Sequence, residues 1–207
     1  MPCLILRENI NKILVVGPIY DNTNVFPFIE KNISHYDYII INGSLCYPYN
    51  NIELVRDRIN QLNELLKSNK IIYNASNYDY ELLAELYLNN SNKDIIDWIN
   101  SKPNVIIVTF ISQTTTIITS GGVTPKMNRN SLNENIETSF ISHINEKPWH
   151  LLYNGMYGYI ISNNPLTNND PTFYKYSAQI GNKYSENANV FAQEVDKFGL
   201  KKTILIM

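Results

Sequence analysis

The chain has 207 residues, 44% of them hydrophobic and 17% charged, with a formal net charge of −2. That suits one domain over 1–207 with a sizeable core, and it argues against nucleic acid as a partner, which would want a basic footprint. Cys3 and Cys46 are too few for a disulfide framework, no apolar run nears the ~18 residues of a membrane span and no signal-peptide pattern is present, so a cytoplasmic, non-secreted protein without a membrane partner is expected.

Lys12 to Val16 is a β-branched run closed by Gly17-Pro18, the pattern of a buried strand and a turn. Asn22-Thr23-Asn24 offers helix caps, and Val25, Phe28, Ile29 and Ile33 recur at helical spacing with Pro27 in the first turn. Asp37 to Ile41 predicts a second strand, ended by Asn42-Gly43-Ser44, before a loop of Tyr, Pro and Asn from Cys46 to Asn51. Ile52, Val55, Ile59, Leu62 and Leu66 then form one apolar stripe of an amphipathic helix. Ile71 to Tyr73 predicts a short third strand, and Asp79 to Leu88 and Lys93 to Asn100 two further helices. The alternation predicts parallel strands joined by helical crossovers.

Val105 to Phe110 and Thr115 to Ser120 follow as strands, with Ser112-Gln113 as a hairpin turn between them. Asn128 to Glu146 is polar with scattered apolar residues, which predicts a helical, lid-like segment. Tyr157 to Ser162 predicts another strand, and Phe173 to Ile180, Val190 to Val195 and Thr203 to Ile206 a closing antiparallel section. No repeat or low-complexity linker divides the chain.

Five of the predicted strands end in a short turn-forming block. They are Gly17-Pro18-Ile19-Tyr20-Asp21-Asn22, Gly43-Ser44-Leu45-Cys46-Tyr47-Pro48, Ser76-Asn77-Tyr78-Asp79-Tyr80, Ser120-Gly121-Gly122-Val123-Thr124-Pro125 and Ser162-Asn163-Asn164-Pro165. In open α/β sheets ligands sit at such carboxyl ends. Over about residues 12–182, the order and spacing of these blocks resemble the calcineurin-like metallophosphoesterases, specifically the serine/threonine protein phosphatase branch. The resemblance implies a four-layer α/β/β/α sandwich with a two-metal hydrolytic site at the strand ends. In that family carboxylates, amides and imidazoles hold two ions that activate water for attack on a phosphoester.

Set on the family's pattern, most positions carry different chemistry. Pro18 stands where the family has its metal aspartate, and Tyr20 its histidine. Ser44 replaces the bridging aspartate, Tyr47 the second aspartate and Pro48 the phosphate-gripping arginine. Asn77 keeps the metal-binding amide and Asp79 the acid, while Tyr78 replaces the general-acid histidine. Ser120 and Asn163 replace the last two metal histidines. A dinuclear centre needs anionic carboxylates and neutral imidazoles, which these positions do not supply. No catalytic residue, metal or cofactor is therefore expected.

The three histidines, His35, His143 and His150, lie outside the blocks. His35 with Asp37 is read as a surface loop before a strand, and His143 and His150, which flank a Lys-Pro-Trp segment, as packing or exposed residues. Cys46 has no base beside it, and Ser120 lacks the Gly-x-Ser-x-Gly elbow of a serine hydrolase. Tyr20, Tyr47, Tyr49, Tyr78 and Tyr80, among 15 tyrosines, would fill the space metals and water once took, with recognition at the rim. Four of the eight glycines, Gly17, Gly43, Gly121 and Gly122, sit at strand ends where the backbone must turn.

The expectation is an inactive phosphoesterase-like protein that binds a protein partner, in the cytoplasm or in a particle. The heavy use of Asn, Ile, Tyr and Lys fits AT-rich coding, as in some viruses and phages. Two alternatives stand beside it: an enzyme with a site rebuilt on Asp21, Asn77 and Asp79, and a phosphate or nucleotide sensor using backbone amides at 120–122. Self-association is left open.

Overall fold

The computed structural model describes residues 3–20, 22–45, 51–88, 92–119, 158–162, 177–179 and 190–206. In chain order these form β1 (Cys3–Ile10), β2 (Lys12–Val16), α1 (Val25–Asn32), a 3-10 turn (Ile33–His35), β3 (Tyr38–Asn42), α2 (Ile52–Leu66), β4 (Ile71–Asn74) and α3 (Asn77–Leu88). There follow α4 (Lys93–Asn100), β5 (Val105–Phe110), β6 (Thr115–Thr119), β7 (Gly158–Ser162), β8 (Ser177–Gln179), β9 (Val190–Asp196) and β10 (Gly199–Ile206).

The strands divide into two five-stranded sheets, ordered β10-β9-β2-β3-β4 and β1-β5-β6-β7-β8. In the first, β2, β3 and β4 run parallel, with Val16 opposite Ile41 and Asn42 opposite Asn74. β9 returns antiparallel to β2, and β10 antiparallel to β9. In the second, β5 and β6 form the expected antiparallel hairpin, and β7 lies parallel to β6.

Strand residues alternate between two apolar environments, which is why these strands read as continuous hydrophobic runs. Leu14, Val16, Ile39, Ile41 and Tyr73 face the helices and pack with Val25, Ile29, Val55, Ile59, Leu62, Leu82, Ile95 and Ile99. Their neighbours Ile13, Val15, Ile40 and Val195 face the other way, onto Ile106, Val108, Ile118 and Ile161 of the second sheet. Ile107 and Ile117 alternate with those residues onto the far side of the second sheet and are buried too. The architecture is an α/β sandwich.

Two expectations change. Phe173 to Ile180 reduces among the described residues to β8, which pairs parallel, not antiparallel, with β7. A strand precedes Lys12: β1 lies parallel to β5, with Leu4 opposite Ile106, at the edge of the second sheet. Arg7, Glu8 and Asn9 interrupt its apolar run and hide the period. The segment 128–146, read as a helical lid, lies outside the described residues.

Candidate functional site

Parallel pairing brings the carboxyl ends of β2, β3 and β4 to one end of the first sheet. The same end receives β6, because Asn42 Nδ2 donates to the Thr119 carbonyl at 2.9 Å. Asn74 Nδ2 in turn donates to Asn42 Oδ1 at 2.7 Å and to the Asn104 carbonyl at 3.4 Å. Both asparagines are fully buried. They stand on the inter-sheet side, where Tyr38, Ile40 and Ile72 also point. Their amides staple the two sheets together at the end of β6.

The loop after β2 is held against the loop after β3. Ile19 N and Tyr20 N both donate to the Ser44 carbonyl, at 3.2 and 3.3 Å, and Gly17 N donates to Phe191 O at 2.7 Å. Pro18 is buried and brings no side-chain donor or acceptor. Tyr20 takes φ 47°, a left-handed conformation costly for a residue with a Cβ. Its ring meets Tyr78 edge to face, with centroids 6.4 Å apart. Of the five tyrosines expected around the site, Tyr20 and Tyr78 are thus in ring contact, and Tyr47 and Tyr49 lie outside the described residues.

Gly43 has φ +59°, and a Cβ on it would lie 2.1 Å from the Cβ of Ser76. Only glycine lets the end of β3 approach the start of α3 this closely. The approach puts Ser44 Oγ 2.7 Å from Ser76 Oγ. Ser76 is also the cap of α3. Asp79 N donates to Ser76 Oγ at 3.3 Å, and Ser76 N donates to Asp79 Oδ2 at 2.7 Å, the reciprocal pattern of a capping box.

Asp79 is buried and carries more than the cap. Its Oδ1 accepts from Leu45 N at 2.9 Å, and its Oδ2 also accepts from Tyr73 OH at 2.8 Å and Ser76 Oγ at 3.0 Å. Burial raises its pKa above the ordinary carboxylate value, against the lowering effect of the four hydrogen bonds. The Tyr80 hydroxyl is likewise pushed up, by burial and by the nearby Asp79 charge. Tyr73 leans on Trp98 of α4 at 5.1 Å, so the carboxylate is anchored to the helical layer as well.

Of the positions singled out in the sequence, the structure thus gathers Pro18, Tyr20, Ser44, Tyr78 and Asp79 at one end of the sandwich. The side chain of Asn77, first residue of α3, lies outside the described residues, as do Asp21, Cys46, Tyr47, Pro48, Tyr49, Ser120, Gly121, Gly122, His143, His150 and Asn163. His35 ends the 3-10 turn and is exposed. Asp37 accepts from Asn11 N at 2.8 Å and Lys12 N at 3.0 Å, so it holds the β1–β2 turn. Among the described residues no group of three or more His, Cys, Asp and Glu is placed to hold a metal ion.

Sequence reasoning passed over Asn42, Asn74, Tyr73 and the capping role of Ser76. The Ser-x-x-Asp spacing before an apolar helical stretch was a usable signal for the cap. Asn42 and Asn74 each end an apolar strand, but only sheet register brings them opposite one another.

No protein-family model matches the chain, and no curated protein does. Among solved structures, a protein provisionally described as a diadenosine tetraphosphatase is similar over 100% of this chain and 98% of its own, with TM-score 0.56 and 12% identity. A cold-active protein tyrosine phosphatase aligns with 99% of this chain and 80% of its own at 10% identity, with TM-score 0.49. The first likeness is one of fold.

Proposed function

We propose that this chain is a catalytically inactive relative of the metallophosphoesterases, a pseudophosphatase that serves as a binding or structural module. The solved neighbour described as a diadenosine tetraphosphatase supports the phosphoesterase-like lineage through the fold they share. The observation that carries the loss of function is the fate of Asp79. It is the acid that the sequence retains at a family position, and its two oxygens already accept four hydrogen bonds in a buried cap. A buried carboxylate committed in this way to Leu45, Tyr73 and Ser76 serves as a structural cap, which supports reading it as a strut and not as a metal ligand.

The neighbouring groups fit the two ions no better. Pro18 offers no side-chain ligand atom, Ser44 Oγ is hydrogen-bonded to Ser76 Oγ, and neutral hydroxyls do not neutralise paired divalent cations. What remains is a scaffold with an aromatic rim, Tyr20 and Tyr78, of the kind that protein partners use as anchors. The partner we propose is a protein, met in the cytoplasm or in an assembled particle.

The test is turnover of an aryl phosphate with added manganese, alongside metal analysis of the purified protein. The expected result is no hydrolysis above the buffer rate and less than stoichiometric metal. Hydrolysis that disappears with chelator and in Asp79→Asn, while Asp79→Asn remains folded by circular dichroism, would overturn the proposal in favour of a rebuilt site.

A further inference from the structure

The end of the sandwich away from the candidate site carries a bare aromatic tip. β9 and β10 are joined by Lys197-Phe198, and Phe198 is 73% exposed. The ammonium groups of Lys197 and Lys201 lie 5.3 and 5.5 Å from the centre of its ring. Lys201 also reaches Asp196 at 3.4 Å. The tip is braced by its neighbours: Ser112 Oγ donates to Lys197 O at 2.6 Å, and Lys197 N donates to Asn11 O at 2.8 Å. A large apolar ring is thus held rigidly in water with two cations against it, an arrangement the fold itself does not require.

A cavity of complementary chemistry lies on the helical layer. Between α1 and α2, Thr23, Phe26, Glu30, Gln61, Glu64 and Leu65 line a space of about 340 Å³. Leu65 is buried and Phe26 partly so, which makes the floor apolar. Phe26 is steadied by the Arg58 guanidinium, 5.6 Å from its ring centre. Glu30 and Glu64 are exposed at the rim, and Glu64 is paired with Lys67. Such a space suits a single large side chain that arrives with positive charge beside it.

We propose that copies of this chain associate head to tail, with the Phe198 tip of one copy seated in the α1–α2 cavity of the next. Phe198 fills the apolar floor, while Lys197 and Lys201 meet Glu30 and Glu64. The two patches lie on different faces of one molecule, so the contact is heterologous and builds a ring or an open chain instead of closing on itself as a two-fold dimer. This inference is independent of whether the strand-end site turns over.

Sedimentation velocity and light scattering over a concentration series test it. The weight-average mass should climb from the monomer value of 23.9 kDa as concentration rises, and less steeply at high salt. Phe198→Asp removes the knob, and the pair Glu30→Lys with Glu64→Lys reverses the charge at the hole; each should leave the protein folded by circular dichroism and monomeric. Mixed in equal amounts, the two variants should form a species of twice the monomer mass and none larger, because one intact knob faces one intact hole. Wild-type protein that stays monomeric at the highest attainable concentration overturns the proposal, as does association that neither variant disturbs, or a mixture that does not recover it. Phe198-dependent sedimentation of a monomer with phosphatidylserine-containing vesicles would also overturn it, by assigning the tip to a lipid surface.

Discussion

The amide staple between the two sheets makes a quantitative prediction. Asn42→Leu keeps the shape of the side chain but removes a donor and an acceptor at once. The Thr119 carbonyl loses its 2.9 Å partner, and the Asn74 amide loses its 2.7 Å acceptor. Both asparagines are fully buried, so water does not replace what is lost. The Asn74 amide keeps the Asn104 carbonyl at 3.4 Å, so the lost hydrogen bonds should cost about 1–3 kcal/mol. Asn74→Leu removes the donor to Asn42 Oδ1 and the Asn104 carbonyl, but also the buried and unpartnered Asn74 Oδ1, so it should cost less than Asn42→Leu. The double variant leaves no amide facing a leucine and gains an apolar contact between the leucines. It should therefore be more stable than the sum of the singles predicts by about 2 kcal/mol, the size of coupling found within one hydrogen-bond network. Urea denaturation of the four proteins measures this directly, and Asn42→Leu should melt about 2–12 °C below wild type at the ~2–4 °C per kcal/mol expected for this chain length. Strict additivity, or an Asn42→Leu cost below about 0.5 kcal/mol, would show that the staple does not join the sheets as described.

Gly43→Ala should cost about 3 kcal/mol or more, or abolish soluble expression, because the new Cβ falls 2.1 Å from that of Ser76 on a backbone with φ +59°; chemical denaturation or yield decides. Asp79→Asn should destabilise the protein by about 1–3 kcal/mol, since its amide opposes the Tyr73 and Ser76 donors. The folded state raises the Asp79 pKa, so this group favours folding most below its ordinary value and less as pH rises through the raised one. The stability gap between wild type and Asp79→Asn should therefore narrow on going from pH 4 to 7, and a gap that widens would refute the account. Burial pushes Glu194 up, but hydrogen bonds from Lys12 and Tyr36 outweigh it and hold it below the usual carboxylate range. Its contribution is present above the unfolded pKa and lost as pH falls through the lowered one, so the ~1 kcal/mol cost of Tyr36→Phe should shrink in acid when followed by urea midpoints. Added manganese should leave the melting temperature unmoved, whereas an ion at a hundredfold its dissociation constant would add about 2.7 kcal/mol; differential scanning fluorimetry separates the two.

The alternation of strands and helices was legible in the chain because it rests on local patterns. Strands covered on both faces must be apolar along their whole length, as Lys12–Val16 and Val105–Phe110 are, and α2 writes its buried stripe at helical spacing behind the Asn51 cap. The strand ends where a site would form were legible for the same reason, since backbone that turns as tightly as it does after β3 needs a residue such as Gly43. Partner choice was not legible, because no local pattern records which strand lies beside which. Only the tertiary structure divided the ten described strands between two sheets, placed β1 against β5, set β8 parallel to β7 and brought Asn42 to Asn74. It also decided what Asp79 does. By residue type a carboxylate at that position is a candidate ligand, and burial against Leu45, Tyr73 and Ser76, two of them from outside its own helix turn, makes it a strut.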